Sequence, residues 1–492
     1  MDYILALDQS TSATKAIIFD AEGRLVDKLS VEHEQLYPEP GRVEHDAEQI
    51  YRNALDALGR LLERNAELKP HLRCLSITNQ RETVVVFEAE TGRPLHNAIV
   101  WQDRRGEPVC AAMREAGHDD TVRARTGLRL DTYFSASKLK WLVDHKPEFR
   151  TALRDGSALA GTMDAFLVHR LTGGETFATD HTNASRTLLF DIKELRWAEQ
   201  LCGLFGVPVG ALPEVRESSA QFGETDLEGL LDEPLPICGV MGDSQAALFA
   251  QRCFMSGTGK VTLGTGSSVL LNIGRQMQVS QMGMVCTIAW VWNGRTTYAF
   301  EGIINCTGAT VAWLKDQLGL ISDPGETETL AGSVPDNGGV YLIPAFLGLS
   351  APYWSDGARA AIVGLTRDST KAHVARAALE SIAYQVRDVL DAMADDADTP
   401  LSTLHADGGM VSNKFLMQFL ADVTRVRVRS SALPELSGLG AALSGMLGVG
   451  IHATQADLVN LPQEYVDYAP EMPESAVRDA YRGWKAAVTR VL

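Results

Sequence analysis

Residues 3–20 read Tyr3-Ile4-Leu5-Ala6-Leu7-Asp8-Gln9-Ser10-Thr11-Ser12-Ala13-Thr14-Lys15-Ala16-Ile17-Ile18-Phe19-Asp20, two apolar runs separated by a turn of hydroxyls and small residues. Runs of this length bounded by polar turns predict strands at 3–7 and 15–20 around the turn at 8–14. The turn Ala21-Glu22-Gly23-Arg24 and a third strand to about Val31 complete a β-meander.

Outward from this hairpin, residues 45–68 place Ile50, Ala54, Leu55, Leu58, Leu61 and Leu62 at helical spacing, and residues 72–77 return to strand. Three strands, a helix and a strand predict an α/β layer. The pattern recurs half a chain later. Lys260-Val261-Thr262-Leu263-Gly264-Thr265-Gly266-Ser267-Ser268-Val269-Leu270-Leu271 is again strand, hydroxyl turn, strand. An amphipathic helix over 371–393, a strand at 403–406, the turn Asp407-Gly408-Gly409 and a helix from Asn413 follow. A chain of 492 residues is long for one core. The duplication predicts two halves, 1–251 and 252–492, joined near 248–258. No low-complexity linker separates them, so they are expected to pack and hinge.

With 45 Lys and Arg against 63 Asp and Glu, the net charge is −18. That excludes a broad basic surface for nucleic acid or anionic lipid, and any anionic substrate must be held by local donors. The longest apolar runs, such as residues 285–292, are far short of a membrane helix. The start, with no basic residues and an early Asp8, does not read as a signal peptide. Seven cysteines without C-x-x-C spacing predict reduced thiols and a cytoplasmic protein, not a disulfide framework or zinc site.

Two hydroxyl hairpins and a Gly-Gly turn, each at a strand end, suit a nucleoside triphosphate: backbone N–H groups approach phosphate oxygens closely and hydroxyls add neutral donors. Other phosphate motifs fail. Gly257-Thr258-Gly259-Lys260 resembles the end of a P-loop, but Cys253 or Phe254 stands where the first glycine belongs and Val261 replaces the Ser/Thr. Gly438-Leu439-Gly440-Ala441-Ala442-Leu443 lacks the last glycine of a dinucleotide fingerprint.

Four further stretches carry a resemblance: Leu7-Asp8-Gln9-Ser10-Thr11, Ile77-Thr78-Asn79-Gln80-Arg81-Glu82-Thr83, Asn97-Ala98-Ile99-Val100-Trp101-Gln102-Asp103-Arg104-Arg105, and Gly242-Asp243-Ser244-Gln245-Ala246-Ala247. With Tyr133-Phe134-Ser135-Ala136-Ser137-Lys138 and His373-Val374-Ala375-Arg376-Ala377-Ala378-Leu379-Glu380, the chain resembles the FGGY carbohydrate kinases over nearly its whole length, its glycerol-phosphorylating members most. The resemblance implies two actin-like, ribonuclease-H-like ATPase domains closing on ATP, Mg²⁺ and a small polyol in a central cleft. By position it places Thr11, Ser12, Ala13, Lys15, Gly264, Thr265, Gly308, Ala312, Gly409 and Asn413 at the nucleotide, with Lys15 where the family usually has Arg. Asp8 would hold Mg²⁺ through water, with Asp243 beside it, and Asp243 would be the general base. Arg81, Glu82, Trp101, Tyr133, Ser244 and Ser268 would line the polyol site.

Three positions depart from that pattern. Ser244 stands for a glutamine that touches substrate, Ser268 for an aromatic wall and Ala312 for a glutamine near adenine. The two serines predict a roomier pocket with extra hydroxyl donors, which opens the alternative of a four- or five-carbon polyol or ketose. The segment Gly229-Leu230-Leu231-Asp232-Glu233-Pro234 lacks the glycines and cation of the loop that binds fructose 1,6-bisphosphate in regulated relatives. An actin- or Hsp70-like ATPase is the rival from another class, and it has no use for the Arg81, Glu82, Trp101, Tyr133 set. Homo-oligomerisation is left open by the sequence.

Overall fold

A computed structural model describes residues 1–492 apart from Asp356, Asp398, Ala432 and Pro434. The opening meander is β1 (Tyr3–Gln9), β2 (Ala13–Asp20) and β3 (Leu25–Glu32), so the strands run closer to the hydroxyl turn than the composition suggests. Helix α1 (Ala47–Arg64) starts where the Asp46 carboxylate accepts from the N–H groups of Glu48 and Gln49, satisfying two otherwise orphaned donors. The chain then adds β4 (Leu72–Asn79) and, after a long insertion, β5 (Gln221–Thr225), β6 (Leu235–Gly242) and α2 (Asp243–Ala250). The sheet order is β5-β6-β4-β1-β2-β3, with β1, β4 and β6 parallel.

The second half repeats this plan. Strands β7 (Thr258–Leu263), β8 (Ser267–Gly274) and β10 (Arg295–Ile304) lie antiparallel side by side, with β9 (Val285–Trp292) paired on the outer side of β10. Helix α3 (Gly308–Asp316) follows, then α4 (Lys371–Asp396), β11 (Thr403–Asp407), α5 (Lys414–Thr424), β12 (Arg427–Ser430), α6 (Leu436–Gly448) and β13 (Val466–Tyr468). The order is β9-β10-β8-β7-β11-β12-β13, with β7, β11 and β12 parallel. Thus β3-β2-β1-β4-β6 corresponds to β10-β8-β7-β11-β12, the duplicated actin-like topology expected. The extra strand β9 extends the second sheet outside β10.

Both faces of the first sheet are buried, which is why Ile4-Leu5-Ala6-Leu7 is continuously apolar. Leu5 and Leu7 pack with Ile50, Ala54 and Leu58 of α1, whereas Ile4 and Ala6 join Ala246 of α2 and Leu439 and Leu443 of α6. The same layer includes Leu270, Ala289 and Ala299 of the second sheet, so α2 and α6 form an apolar seam between the sheets. At Gly440 the two helices meet backbone to backbone: a Cβ there would lie 1.8 Å from the Ala246 carbonyl oxygen.

Candidate active site

The chemistry-bearing residues gather at the C-terminal ends of the parallel strands, where open α/β sheets bind their ligands. Asp8 lies near the end of β1, Asn79 ends β4 and leads into Arg81 and Glu82, and Asp243 directly follows β6. Asp243 is the first residue of α2, with its Oδ1 accepting from the Ser244 N–H at 2.6 Å. Arg81 Nε stands 3.1 Å from the same oxygen, and the Asp243 side chain keeps 39% exposure. Among the described residues nothing bonds Oδ2, so one carboxylate oxygen is anchored and the other is open.

Arg81 is held on its far side by Glu301 of β10: Nη2 donates to Oε1 at 2.7 Å and Nη1 to Oε2 at 3.2 Å. Nη1 also donates to Gln245 Oε1 at 3.1 Å. A guanidinium has five N–H donors; three are used here, the Nε N–H faces Asp243 as an ion pair without a hydrogen bond, and one Nη2 N–H is left for a ligand hydroxyl. Glu82, also buried, accepts from Arg186 Nε at 2.6 Å through Oε1, leaving Oε2 as a free acceptor. Burial opposes ionisation of Glu301, but Arg186 and Arg81 outweigh it and hold its carboxyl down at about 2. Burial wins at Glu82, whose pKa is raised against the pull of Arg81 and Arg186. Trp101 and Tyr133 wall the site edge to face with ring centroids 5.4 Å apart, and Trp101 Nε1 donates to Thr11 Oγ1 at 3.0 Å. The first hairpin and the aromatic wall are therefore one unit.

On the phosphate side each hairpin is closed by a backbone bond, Ser10 N–H to Ala13 O at 2.9 Å in the first and Gly264 N–H to Gly266 O at 3.0 Å in the tighter second. The N–H groups of Thr11, Ser12 and Thr265 have no protein acceptor among the described residues. Gly308 opens α3 and its N–H donates to Gly264 O at 2.9 Å, an approach that a Cβ, 2.6 Å from that oxygen, would block. Ala312 is exposed on α3, Gly409 is exposed in the turn after β11, and Asn413 caps α5 by accepting from the Leu416 N–H at 2.9 Å. Asn413 Nδ2 also donates to Thr327 Oγ1, so its side chain already has partners within the fold.

Two of the expected site side chains already have partners within the fold. Lys15, expected on the nucleotide side, sits 2.7 Å from Glu435 and 3.7 Å from Asp8. Burial works against its charge, yet Asp8 and Glu435 raise its pKa. Ser268 is not a spare donor either, because its Oγ donates to Glu301 Oε1 at 2.9 Å. Glu301, Arg186 and Glu435 were not singled out from the sequence. The available signal for Glu301 was a lone acid in the apolar strand Tyr298-Ala299-Phe300-Glu301-Gly302-Ile303.

Burial raises the Asp8 carboxyl to about 6, Lys15 opposing and Glu435 and Asp243 adding to the rise. Such a carboxylate, beside a second one, is short of positive charge, which fits a divalent cation. Among the described residues no cluster of three or more His, Cys, Asp or Glu could hold a metal ion. One or two carboxylates are nevertheless enough for Mg²⁺ that keeps its waters and takes phosphate oxygens.

Family models for the N-terminal and C-terminal domains of the FGGY carbohydrate kinases match residues 3–250 and 259–449. The chain belongs to the FGGY family of carbohydrate kinases. It is 47% identical to glycerol kinase 1 of Thermotoga maritima, covering 100% of this chain and 99% of that one, and 45% identical to a glycerol kinase of Desulfitobacterium hafniense at the same coverage. The crystal structure of Plasmodium falciparum glycerol kinase with ADP superposes with a TM-score of 0.95 at 35% identity, covering 100% of this chain and 98% of that one. A xylulose kinase from Lactobacillus acidophilus shares the fold, with a TM-score of 0.89 at 20% identity over 99% of each chain. This FGGY kinase thus carries an ATP-dependent phosphotransfer site, and the partner-driving ATPase reading is set aside. No helix among its described residues is long and apolar enough to cross a membrane.

Proposed function

We propose that this FGGY kinase transfers the γ-phosphoryl group of ATP to a terminal hydroxyl of glycerol, giving sn-glycerol 3-phosphate. The observation that carries the reading is Asp243, one oxygen fixed by Arg81 and the Ser244 N–H and the other open, at the polar end of a pocket walled by Trp101 and Tyr133. Full-length relatives named glycerol kinases support the choice of polyol.

A primary alcohol is a weak nucleophile at neutral pH. The open Asp243 oxygen orients the terminal O–H and takes its proton as the oxygen–phosphorus bond forms and ADP leaves. The free Arg81 N–H donates to a neighbouring hydroxyl and the free Glu82 oxygen accepts from one, so three adjacent oxygens are read by three side chains. The Tyr133 phenol is pushed up by burial, with Glu82 adding, so it stays protonated and able to donate. The free N–H groups of Thr11, Ser12 and Thr265, with Gly308, Ala312, Gly409 and Asn413 behind them, hold the nucleotide. Mg²⁺, held mainly through water by Asp8 and Asp243, would supply charge neutralisation on the phosphates. Closure about residues 248–258 excludes water that would otherwise consume ATP. Seven free, buried cysteines fit a cytoplasmic enzyme.

The test is a panel of three-, four- and five-carbon polyols and ketoses with purified protein, following ADP release and identifying products by phosphorus NMR. Glycerol is expected to give the highest kcat/KM. A panel led by a longer polyol or ketose, with glycerol inert, overturns the proposed substrate.

A further inference from the structure

Glu301 belongs to the second half of the chain, yet both cations it binds belong to the first. Its Oε1 and Oε2 receive Arg81 Nη2 and Nη1 at 2.7 and 3.2 Å, and Arg186 Nη1 lies 2.7 Å from Oε2. The Glu301 and Arg186 side chains are fully buried and that of Arg81 is nearly so. Burying four ionised groups is unfavourable unless each is matched, and here the two guanidinium groups and two carboxylates alternate: Glu82, Arg186, Glu301, Arg81. Ser268, next to the second hairpin, adds a hydrogen bond to Glu301.

Each end of this chain of charges is a group that meets the polyol. Arg81 ends on Asp243, where its Nε stands 3.1 Å from Oδ1. Arg186 ends on Glu82 and lies over the Phe134 and Tyr133 rings, 5.2 and 6.0 Å from their centroids. We infer that Glu301 is a positioning residue for phosphotransfer, reaching across between the halves to set Arg81 and Arg186 and, through them, Asp243, Glu82 and Tyr133. The inference rests on the polyol site proposed above and adds to it that the site is assembled only when β10 of the second half is docked against the first. Glu301 itself meets the second hairpin only through the Ser268 hydroxyl, while the turn is closed by its own backbone bonds, Gly264 N–H to Gly266 O and Gly308 N–H to Gly264 O, so disturbing Glu301 is expected to spoil the grip on the hydroxyls while ADP binding persists.

The test uses Glu301→Gln and Arg186→Lys, assayed with the best substrate of the polyol panel, alongside calorimetric titration of each with Mg·ADP. Arg186→Lys keeps the charge but loses the planar guanidinium that donates to Glu82 through Nε while its Nη1 pairs with Glu301, and it is the variant to rely on if Glu301→Gln does not fold. In each folded variant, KM for polyol is expected to rise at least tenfold and kcat to fall about tenfold, with KM for ATP and the Mg·ADP affinity within twofold of wild type. Glu301→Asp, which restores the charge, should recover part of the polyol KM. Polyol KM within twofold of wild type in a folded variant, or equal losses for polyol and nucleotide, overturns the positioning role. A wild type inactive on glycerol but active on a longer polyol overturns only the substrate proposed above, because the variants are read on whichever polyol is used.

Discussion

Gly440→Ala tests whether the seam between the two halves sets the position of the catalytic carboxylate. An added Cβ at 440 would sit 1.8 Å from the carbonyl oxygen of Ala246, 2.4 Å from its carbonyl carbon and 2.8 Å from its Cα. All three are backbone atoms of α2 and none can swing aside. Ordinary Cβ contact begins at 3.4 Å, so the helices must part by roughly 1.5 Å or more, or α2 must slide along its axis. Helix α2 begins at Asp243, and Ser437, in the first turn of α6, donates to the Asp243 carbonyl at 3.1 Å. A shift of that size therefore arrives at the general base. Overpacking of this kind costs about 1–3 kcal/mol, offset by the gain of up to about 1 kcal/mol from replacing a helical glycine with alanine. Misplacement of a reacting group by about 1 Å costs on the order of 100-fold in rate. The expected variant loses several degrees of Tm by scanning calorimetry and 10- to 100-fold in kcat by coupled ADP release, while its far-ultraviolet circular dichroism stays native. A Gly440→Ala protein with wild-type Tm and kcat refutes the reasoning, since it would mean the seam yields without moving Asp243.

Three further outcomes are expected. Asp243→Asn keeps an oxygen for Arg81 and the Ser244 N–H but cannot take a proton, so kcat falls by about 10²–10⁴ with polyol binding retained; near-normal turnover would remove Asp243 from the mechanism. Since the Ser268 hydroxyl is taken by Glu301, the selectivity effect of the two serines comes from space: a four-carbon polyol should reach a kcat/KM within about tenfold of glycerol, about 1.4 kcal/mol, and Ser244→Gln with Ser268→Phe should widen glycerol's lead. A wild type favouring glycerol a thousandfold, unchanged by the double replacement, would dismiss both serines as selectivity determinants. Buried Asp164 is raised to about 7 by burial and by Asp180, so the folded protein holds a proton there that the unfolded chain releases near 4. Stability therefore declines as pH rises from about 4 to about 7, and Asp164→Asn, which does not titrate, should gain Tm over wild type at pH 8 relative to pH 5; a difference independent of pH would contradict this.

The elements carrying the fold were legible because their signals are local. Apolar runs mark β1, β2 and β7, helical spacing marks α1, and the recurrence of strand, hydroxyl turn and strand at residues 258–274 exposes the duplication. Sequence also led to Asp8, Arg81, Glu82, Trp101, Tyr133 and Asp243, which the structure gathers at the sheet ends or along the aromatic wall beside the first hairpin. Their partners were not legible. Glu301 lies 220 residues from Arg81, and Glu435 lies 420 from Lys15. A lone acid in an apolar strand hints that Glu301 is buried, but nothing local names the cation it pairs with.

By itself, then, the sequence determined the duplicated α/β architecture and the residue types at the strand ends, because short-range backbone preferences and burial patterns are written in neighbouring residues. Only the tertiary structure decided which donors remain open. Lys15 is committed to Glu435 and Asp8, Ser268 to Glu301, and Arg81 to three acceptors beside the Asp243 oxygen that its Nε faces. A side chain's free valence depends on charges brought to it from the other half of the chain, and that is settled by how two sheets dock across α2 and α6.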